Sequence, residues 1–383
     1  MIDDYIAGSA SQLVERSRTL IALIPRDLPR MYDGLSQRCR QEINNSLAAL
    51  RLILDDPKLQ RPENRAMRLR AFKRVVADLD FVETTGVAAL SRAHADDHKL
   101  NGLVGRIATE IKYPLPAPIC TGLSRDYFSI NLHLNLLFVP LAEAHFMLHL
   151  PDLYHELAHP LLGTEDDPVI EPFRNKFAEA MAMCLGAARD ELNRLERGRN
   201  PEGMKIATRA WEGSWVRGWL AEFFCDLLAT YTAGPAFAWS HLHLALKRGV
   251  DPFKMPAYAA SSHPADDARM RAMLQGLNLM GLDSKSQRIS SSWNACLSAL
   301  NVRGCADYDR CFQNELLQAI AQLAFEGTQS IGIAMYEPQQ KGSVAAALNE
   351  AWESFWVGPD AFVVREKELI QAVLTPRGCR VSR

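Results

Sequence analysis

The sequence predicts a mainly helical chain with a small β-sheet, an α+β fold. Three observations carry this reading. Apolar residues recur at helical spacing in the first 110 residues and again over the last hundred. One stretch near residue 130 alternates with period two. Three prolines in six residues, Tyr113-Pro114-Leu115-Pro116-Ala117-Pro118, interrupt the pattern between them. The expected organisation is a helical bundle at 1–112, a core at 113–283 and a helical region at 284–383.

In the first part, Ile6, Leu13 and Leu20 are seven apart. Ile43, Leu47, Leu50 and Leu54 step by four, three and four, and Phe72, Val75, Val76, Leu79 and Val82 repeat the pattern. Each set marks one face of a helix, and Pro25, Pro29, Pro57 and Pro62 punctuate the connections, as in an antiparallel bundle. Arg61, Arg65, Arg68, Arg70, Lys73 and Arg74 form a basic strip, which reads as a solvated helix face. Phe128, Ile130, Leu132 and Leu134 alternate with Ser129, Asn131, His133 and Asn135, so Phe128–Asn135 reads as a strand that bends into Leu136–Val139. Residues 284–292 (SKSQRISSS) read as a loop. Asn314–Phe325 and Ser343–Trp356 read as amphipathic helices, with Trp352, Phe355 and Trp356 as core packing.

The chain has 383 residues, is 48% apolar and 23% charged, and carries a formal charge of −2. That excludes wholesale disorder and a global field for nucleic acid. Eight scattered cysteines make a disulfide framework a poor reading. The opening MIDDYIAGSA lacks the basic and apolar signature of a secretory leader. The longest uncharged run, Leu227–Leu246, is broken by Gly234-Pro235 and reads as two buried helices rather than a membrane span. The expected location is cytoplasmic, with no nucleic-acid partner.

The chemistry lies in Pro151-Asp152-Leu153-Tyr154-His155-Glu156-Leu157-Ala158-His159. Histidines four apart share a helix face, so His155 and His159 can reach one metal ion, and Glu156 lies beside it as a base for water. Zinc suits such nitrogen donors. Pro160 predicts a kink or an early helix end, because it removes the amide that would bond the Glu156 carbonyl. A later helix is expected between Ser214 as N-cap and Gly234, reading WVRGWLAEFFCDLLATYTA. Glu222 and Asp226 share a face within it. Such a carboxylate pair in an apolar helix needs compensation, which a metal bound by Glu222 and a ligand histidine held by Asp226 would supply. Cys225, between them, reads as a buried thiol.

This pattern resembles the gluzincin zinc metallopeptidases at His155, Glu156, His159, Glu222 and Asp226, with 62 residues between His159 and Glu222. The resemblance implies a zincin-like catalytic core flanked by helices. It implies zinc held by His155, His159 and Glu222, and Glu156 as general base. Ser262-His263-Pro264, followed by Arg269, is similar to a segment of the HtpX-like branch of that clan. This implies that His263 stabilises the oxyanion and that Arg269 supports the ligands from behind. Tyr231 is a second candidate for the oxyanion. The branch has a second proline where this chain has Ala265, and it is built around membrane helices.

The leading expectation is a zinc metallopeptidase acting on protein or peptide substrates. The Phe128–Asn135 strand would pair with an extended substrate, and the helical flanks would receive a regulatory protein. Two alternatives stand beside it. The Pro-Asp-x-x-His-Glu-Leu run resembles the aromatic amino acid hydroxylases, which are mononuclear iron oxygenases, although their histidines are five apart. The other is a catalytically silent zincin-fold interaction module. Of the remaining pairs, His145/His149 read as packed or pocket-lining, His241/His243 are two apart and make a poor helical ligand pair, and Cys305/Cys311 lack the second pair of a zinc ribbon.

Overall fold

The computed structural model describes residues 2–124, 127–164, 167–198 and 201–374. The chain is mainly helical with one three-stranded sheet. It divides into two compact units, Met1–Asn101 with Pro118–Leu141, and Gly102–Ala117 with Ala142–Arg383. This differs from the three-part division that the sequence suggests. The strand segment packs with the N-terminal helices, and the last helices pack with those of the central region.

The first unit holds α1 (Ile2–Leu23), α2 (Asp33–Asp55), α3 (Arg65–Val82), α4 (Ala88–Ser91) and the start of α5 (Ala95–Glu110). Ile6, Leu13 and Leu20 of α1 join Leu35, Ile43 and Leu50 of α2 and Phe72, Val75 and Leu79 of α3 in one core. The seven-residue and three/four spacings put these side chains on single faces, which is what lets three helices share a core. Arg68 departs from the basic strip. It is buried, and its Nε donates to the Ile53 carbonyl at 3.1 Å.

The sheet runs β1 (Ile119–Thr121), β2 (Ser129–Asn131) and β3 (Leu136–Phe138), in the order β1-β3-β2. β1 is parallel to β3, and β2 is antiparallel to it with Ile130 opposite Leu137. The single strand expected over Phe128–Asn135 is therefore the first arm of a hairpin, which turns at residues 132–135. Asn135 takes φ 48° there, a left-handed conformation that asparagine tolerates. The Asn101 side chain closes the free edge of β1. It accepts from Cys120 N at 2.7 Å and donates to Cys120 O at 2.8 Å.

The second unit continues with α6 (Asp152–Glu156), α7 (His159–Gly163), α8 (Glu171–Arg197), α9 (Glu202–Ser214), α10 (Leu220–Ala233) and α11 (Pro235–Arg248). It ends with α12 (Asp266–Leu279), α13 (Asp283–Leu300), α14 (Ala306–Cys311), α15 (Asn314–Ser330), α16 (Val344–Val357) and α17 (Pro359–Leu374). α10 is its centre, packed against α6, α8, α11, α12, α15 and α16. Every residue of α10 except Ala221 is buried. The uncharged run is thus a pair of core helices, and no described helix is long and apolar enough to cross a membrane.

Residues 284–292, read as a loop, lie inside α13. The serines sit in a helix whose other face carries Ser286, Ile289, Trp293 and Leu297, all buried. Burial at three- and four-residue steps overrides a weak local propensity. Trp352 of α16 is buried and stacks on Trp239 of α11 at 6.2 Å, with Trp356 4.7 Å from the same ring.

Gly234 joins α10 to α11 at φ 69° and ψ −150°, a region that residues with a Cβ scarcely enter. A Cβ there would lie 2.4 Å from Cδ1 of Tyr336, whose own amide donates to the Tyr231 carbonyl at 2.7 Å. Gly234→Ala is expected to lower the unfolding free energy by about 2–3 kcal/mol or more, adding backbone strain to the displaced ring. Equilibrium urea denaturation checks this, and an unchanged midpoint would contradict it.

Candidate metal centre

Two short helices carry the paired histidines. α6 stops at Glu156, the chain passes through Leu157 and Ala158, and α7 begins at His159 with Pro160 in its first turn. Pro160 has no amide to continue the ladder, so the helix breaks where the sequence suggests it must. Leu157 and Ala158 keep near-helical dihedrals, φ −66° and −80°, and Ala158 N reaches the His155 carbonyl at 3.0 Å. The two imidazoles therefore stay on one side, with ring centroids 5.1 Å apart at 75°. Phe237 of α11 stacks on the His155 ring at 6.0 Å.

The opposing wall is α10. It does not start at Ser214, as the sequence reading had it. α9 runs through Ser214 into a π-helical turn, Trp215–Trp219, and on into α10. The Ser214 hydroxyl donates back to the Ala210 carbonyl at 2.7 Å and accepts from Ser261 N at 2.9 Å, so it ties down a loop instead of capping a helix. Glu222, Cys225 and Asp226 sit at i, i+3 and i+4 and share one face.

Asp226 is fully buried. Its Oδ1 lies 2.9 Å from His155 Nδ1, and Arg269 of α12 donates to both its oxygens at 2.7 Å, through Nε and Nη2. Burial alone would raise the Asp226 carboxyl, but the Arg269 charge and these hydrogen bonds hold it well below the usual carboxylate range. Burial depresses His155, yet the Asp226 contact outweighs it and lifts the imidazole to about 9. His159 has no such partner. Burial and the neighbouring His155 charge lower it to about 4. Burial lifts Glu156 to about 7, with Glu222 and Asp152 pushing the same way against His155. Burial would raise Glu222 too, but the charges of His155 and Arg269 bring it below its ordinary value.

The expected site residues meet here with one exception. Glu222 Oε2 lies 3.6 Å from His155 Nε2, 3.6 Å from Arg269 Nη2 and 3.8 Å from His263 Nε2. His263 is exposed at the rim, and its Nδ1 lies 2.9 Å from Ser262 Oγ. Its carbonyl accepts from Trp219 Nε1 at 2.8 Å. Gly218 makes this seating possible, because a Cβ there would lie 2.4 Å from the Ser262 carbonyl oxygen. Tyr231 is the exception and is corrected as an oxyanion candidate. It points away from the cluster and donates from its hydroxyl to the Ala321 carbonyl of α15 at 2.6 Å, fully buried.

Sequence reasoning missed Cys225. His155, His159 and Cys225 each offer one ligand atom, and these atoms lie within 4.8 Å of one another. Cys225 Sγ is 3.5 Å from His159 Nδ1. The group could hold a metal ion, and two imidazoles with a thiolate suit zinc and related transition metals. The available signal was the i+3 spacing from Glu222, which the apolar neighbours masked. The other histidine pairs lie elsewhere. His149 Nδ1 is 2.8 Å from Glu143 Oε2, and His241 Nε2 is 3.0 Å from the Asp266 carbonyl. The expected substrate-pairing strand belongs to the other compact unit.

Comparison of the chain with protein-family models, with curated proteins and with solved structures finds no match to any of them.

Asp226→Asn removes one half of a buried, bidentate ion pair and leaves Arg269 unneutralised. The expected cost is about 3–5 kcal/mol of stability, the usual result of breaking such a pair from one side. Chemical denaturation of the metal-stripped protein measures it. A loss below about 1 kcal/mol would show that Arg269 finds another counter-charge.

Proposed function

We propose that the chain is a metal-dependent hydrolase of the metallopeptidase type. Glu156 carries the reading. It is a buried carboxyl that feels the charge of His155, and among the described residues no side-chain hydrogen bond or ion pair holds it. A largely buried carboxyl without a hydrogen-bond partner is costly, and a proton-transfer role accounts for its retention.

His155 and His159 would hold the ion together with a donor from α10, where Glu222 and Cys225 both face them. When bound, a zinc-type ion supplies Lewis acidity to water and to a substrate carbonyl. Glu156 takes the proton from water and later returns it to the leaving amine. Asp226 accepts from His155 Nδ1, which fixes the tautomer and leaves Nε2 for the ion. Arg269 keeps Asp226 ionised. His263, at the open rim, donates to the substrate oxygen as charge gathers there. Peptide bonds are the substrate that the gluzincin resemblance favours, and a regulatory protein would act on the helices that surround the site. Free thiols in the core at Cys39, Cys120 and Cys184 suit a reducing, cytoplasmic compartment.

Metal analysis of the purified protein should give one zinc-class ion per chain, and His159→Ala should carry almost none. A variant that keeps full metal would remove His159 from the donor set. Glu156→Gln should keep metal and fold while cleavage of a fluorogenic peptide library drops by about 100-fold or more. Turnover equal to the parent protein would take Glu156 out of the mechanism.

A further inference from the structure

α10 presents two candidate donors to the paired histidines, and they are not equivalent. Glu222 is shared among three cationic groups, with its Oε2 3.6 Å from His155 Nε2, 3.6 Å from the Arg269 guanidinium and 3.8 Å from His263. It stands outside the compact ligand group. Cys225 stands inside that group and is buried, with Sγ 3.5 Å from His159 Nδ1. A tetrahedral ion with bonds of about 2.0 Å to nitrogen and about 2.3 Å to sulfur places those two donors roughly 3.5 Å apart. The observed separation is therefore already that of two donors on one ion. Cys225 also directly precedes Asp226, whose clasp on His155 and Arg269 fixes the helix rotation that aims Sγ at His159.

We propose that the thiolate of Cys225, not the carboxylate of Glu222, is the third protein donor, so the site takes a thiophilic divalent ion in a His155–His159–Cys225 environment. On binding, the thiol gives its proton to solvent and the sulfur lone pair goes to the ion, with no change of oxidation state. Glu222 then serves as the counter-charge that orients Arg269 and His263 at the rim. This rests on the metal reading given above and replaces the donor that the gluzincin resemblance implies.

Cobalt(II) separates the two. The full-length protein is stripped of metal and titrated anaerobically with cobalt. It should gain the visible bands of a tetrahedral ion together with a near-ultraviolet sulfur-to-cobalt charge-transfer band at one equivalent. Glu222→Gln should keep both. Cys225→Ser should lose the charge-transfer band and bind more than about 100-fold more weakly, beyond the range of an outer-sphere contact. Visible bands without a sulfur band in the parent protein would overturn the proposal and leave the metal reading standing. So would a sulfur band that survives in Cys225→Ser, which would belong to another thiol. The parent spectrum decides the matter even if the variants fold poorly. Failure of the parent protein to bind cobalt or zinc at all would overturn both readings.

Discussion

The buried charge cluster around Asp226 organises the second unit. One carboxylate on α10 is held by a bidentate guanidinium from α12 and by an imidazole from α6. Three elements far apart in sequence are thereby fixed in rotation and register. A buried ion pair is a poor source of net stability, because desolvation offsets most of the attraction. Its value lies in geometry. Each partner has one arrangement that satisfies all of its hydrogen bonds, and sliding any of the three helices would leave a charge unpaired in an apolar interior. The all-apolar faces of α10 supply the packing energy but carry little directional information, so the polar cluster has to set the rotation.

The π-helical turn ahead of α10 serves the same end on the open side. Trp219 anchors the loop that bears His263 through its indole nitrogen, and the lack of a side chain on Gly218 lets the Ser262 carbonyl approach. Trp215, Trp219 and Phe223 then pack around Phe312. An extra residue in a helical turn loosens the backbone ladder, and such turns survive where they serve a site. Here the turn aims a tryptophan at one loop while the following residues face the histidines. Rim and interior of the site are thus set by one continuous stretch of helix.

Local features of the sequence were legible where a single physical rule dominates. The helix break at Pro160, the Gly234-Pro235 junction and the core faces of α1 to α3 each follow from one such rule. Features decided by tertiary contact were not. α13 looked like a serine-rich loop because its helical face is narrow, and only the burial of Ile289 and Trp293 makes it a helix. Ser214 has the chemistry of a cap, but its hydroxyl is drawn to Ser261. Tyr231 lies near Asp226 in sequence, yet five residues along a helix turn it to another face, toward Ala321. The apolar neighbours of Cys225 make it read as a buried thiol. In a helix that is buried all round, apolar neighbours say nothing about which way one thiol points.

Charge balance bears on what the cluster is built to receive. Glu156, Glu222 and Asp226 bring three buried acidic groups together, and Arg269 is the buried guanidinium beside them. Asp226 takes two hydrogen bonds from it, and Glu222 lies 3.6 Å from Nη2, a nitrogen that already donates to Asp226. Asp226 lifts His155 to about 9 against its burial, and burial lifts Glu156 to about 7, with Glu222 and Asp152 pushing the same way. A space that draws protons in this way also favours a divalent cation, which supplies more charge than the proton it displaces from His155. His159, depressed to about 4, is already in the neutral form that a ligand needs. The asymmetry arises because Asp226 raises His155 against its burial, while burial and the His155 charge lower His159. A carboxylate holds one and a thiol touches the other, so Cys225 lies against the histidine that no carboxylate claims.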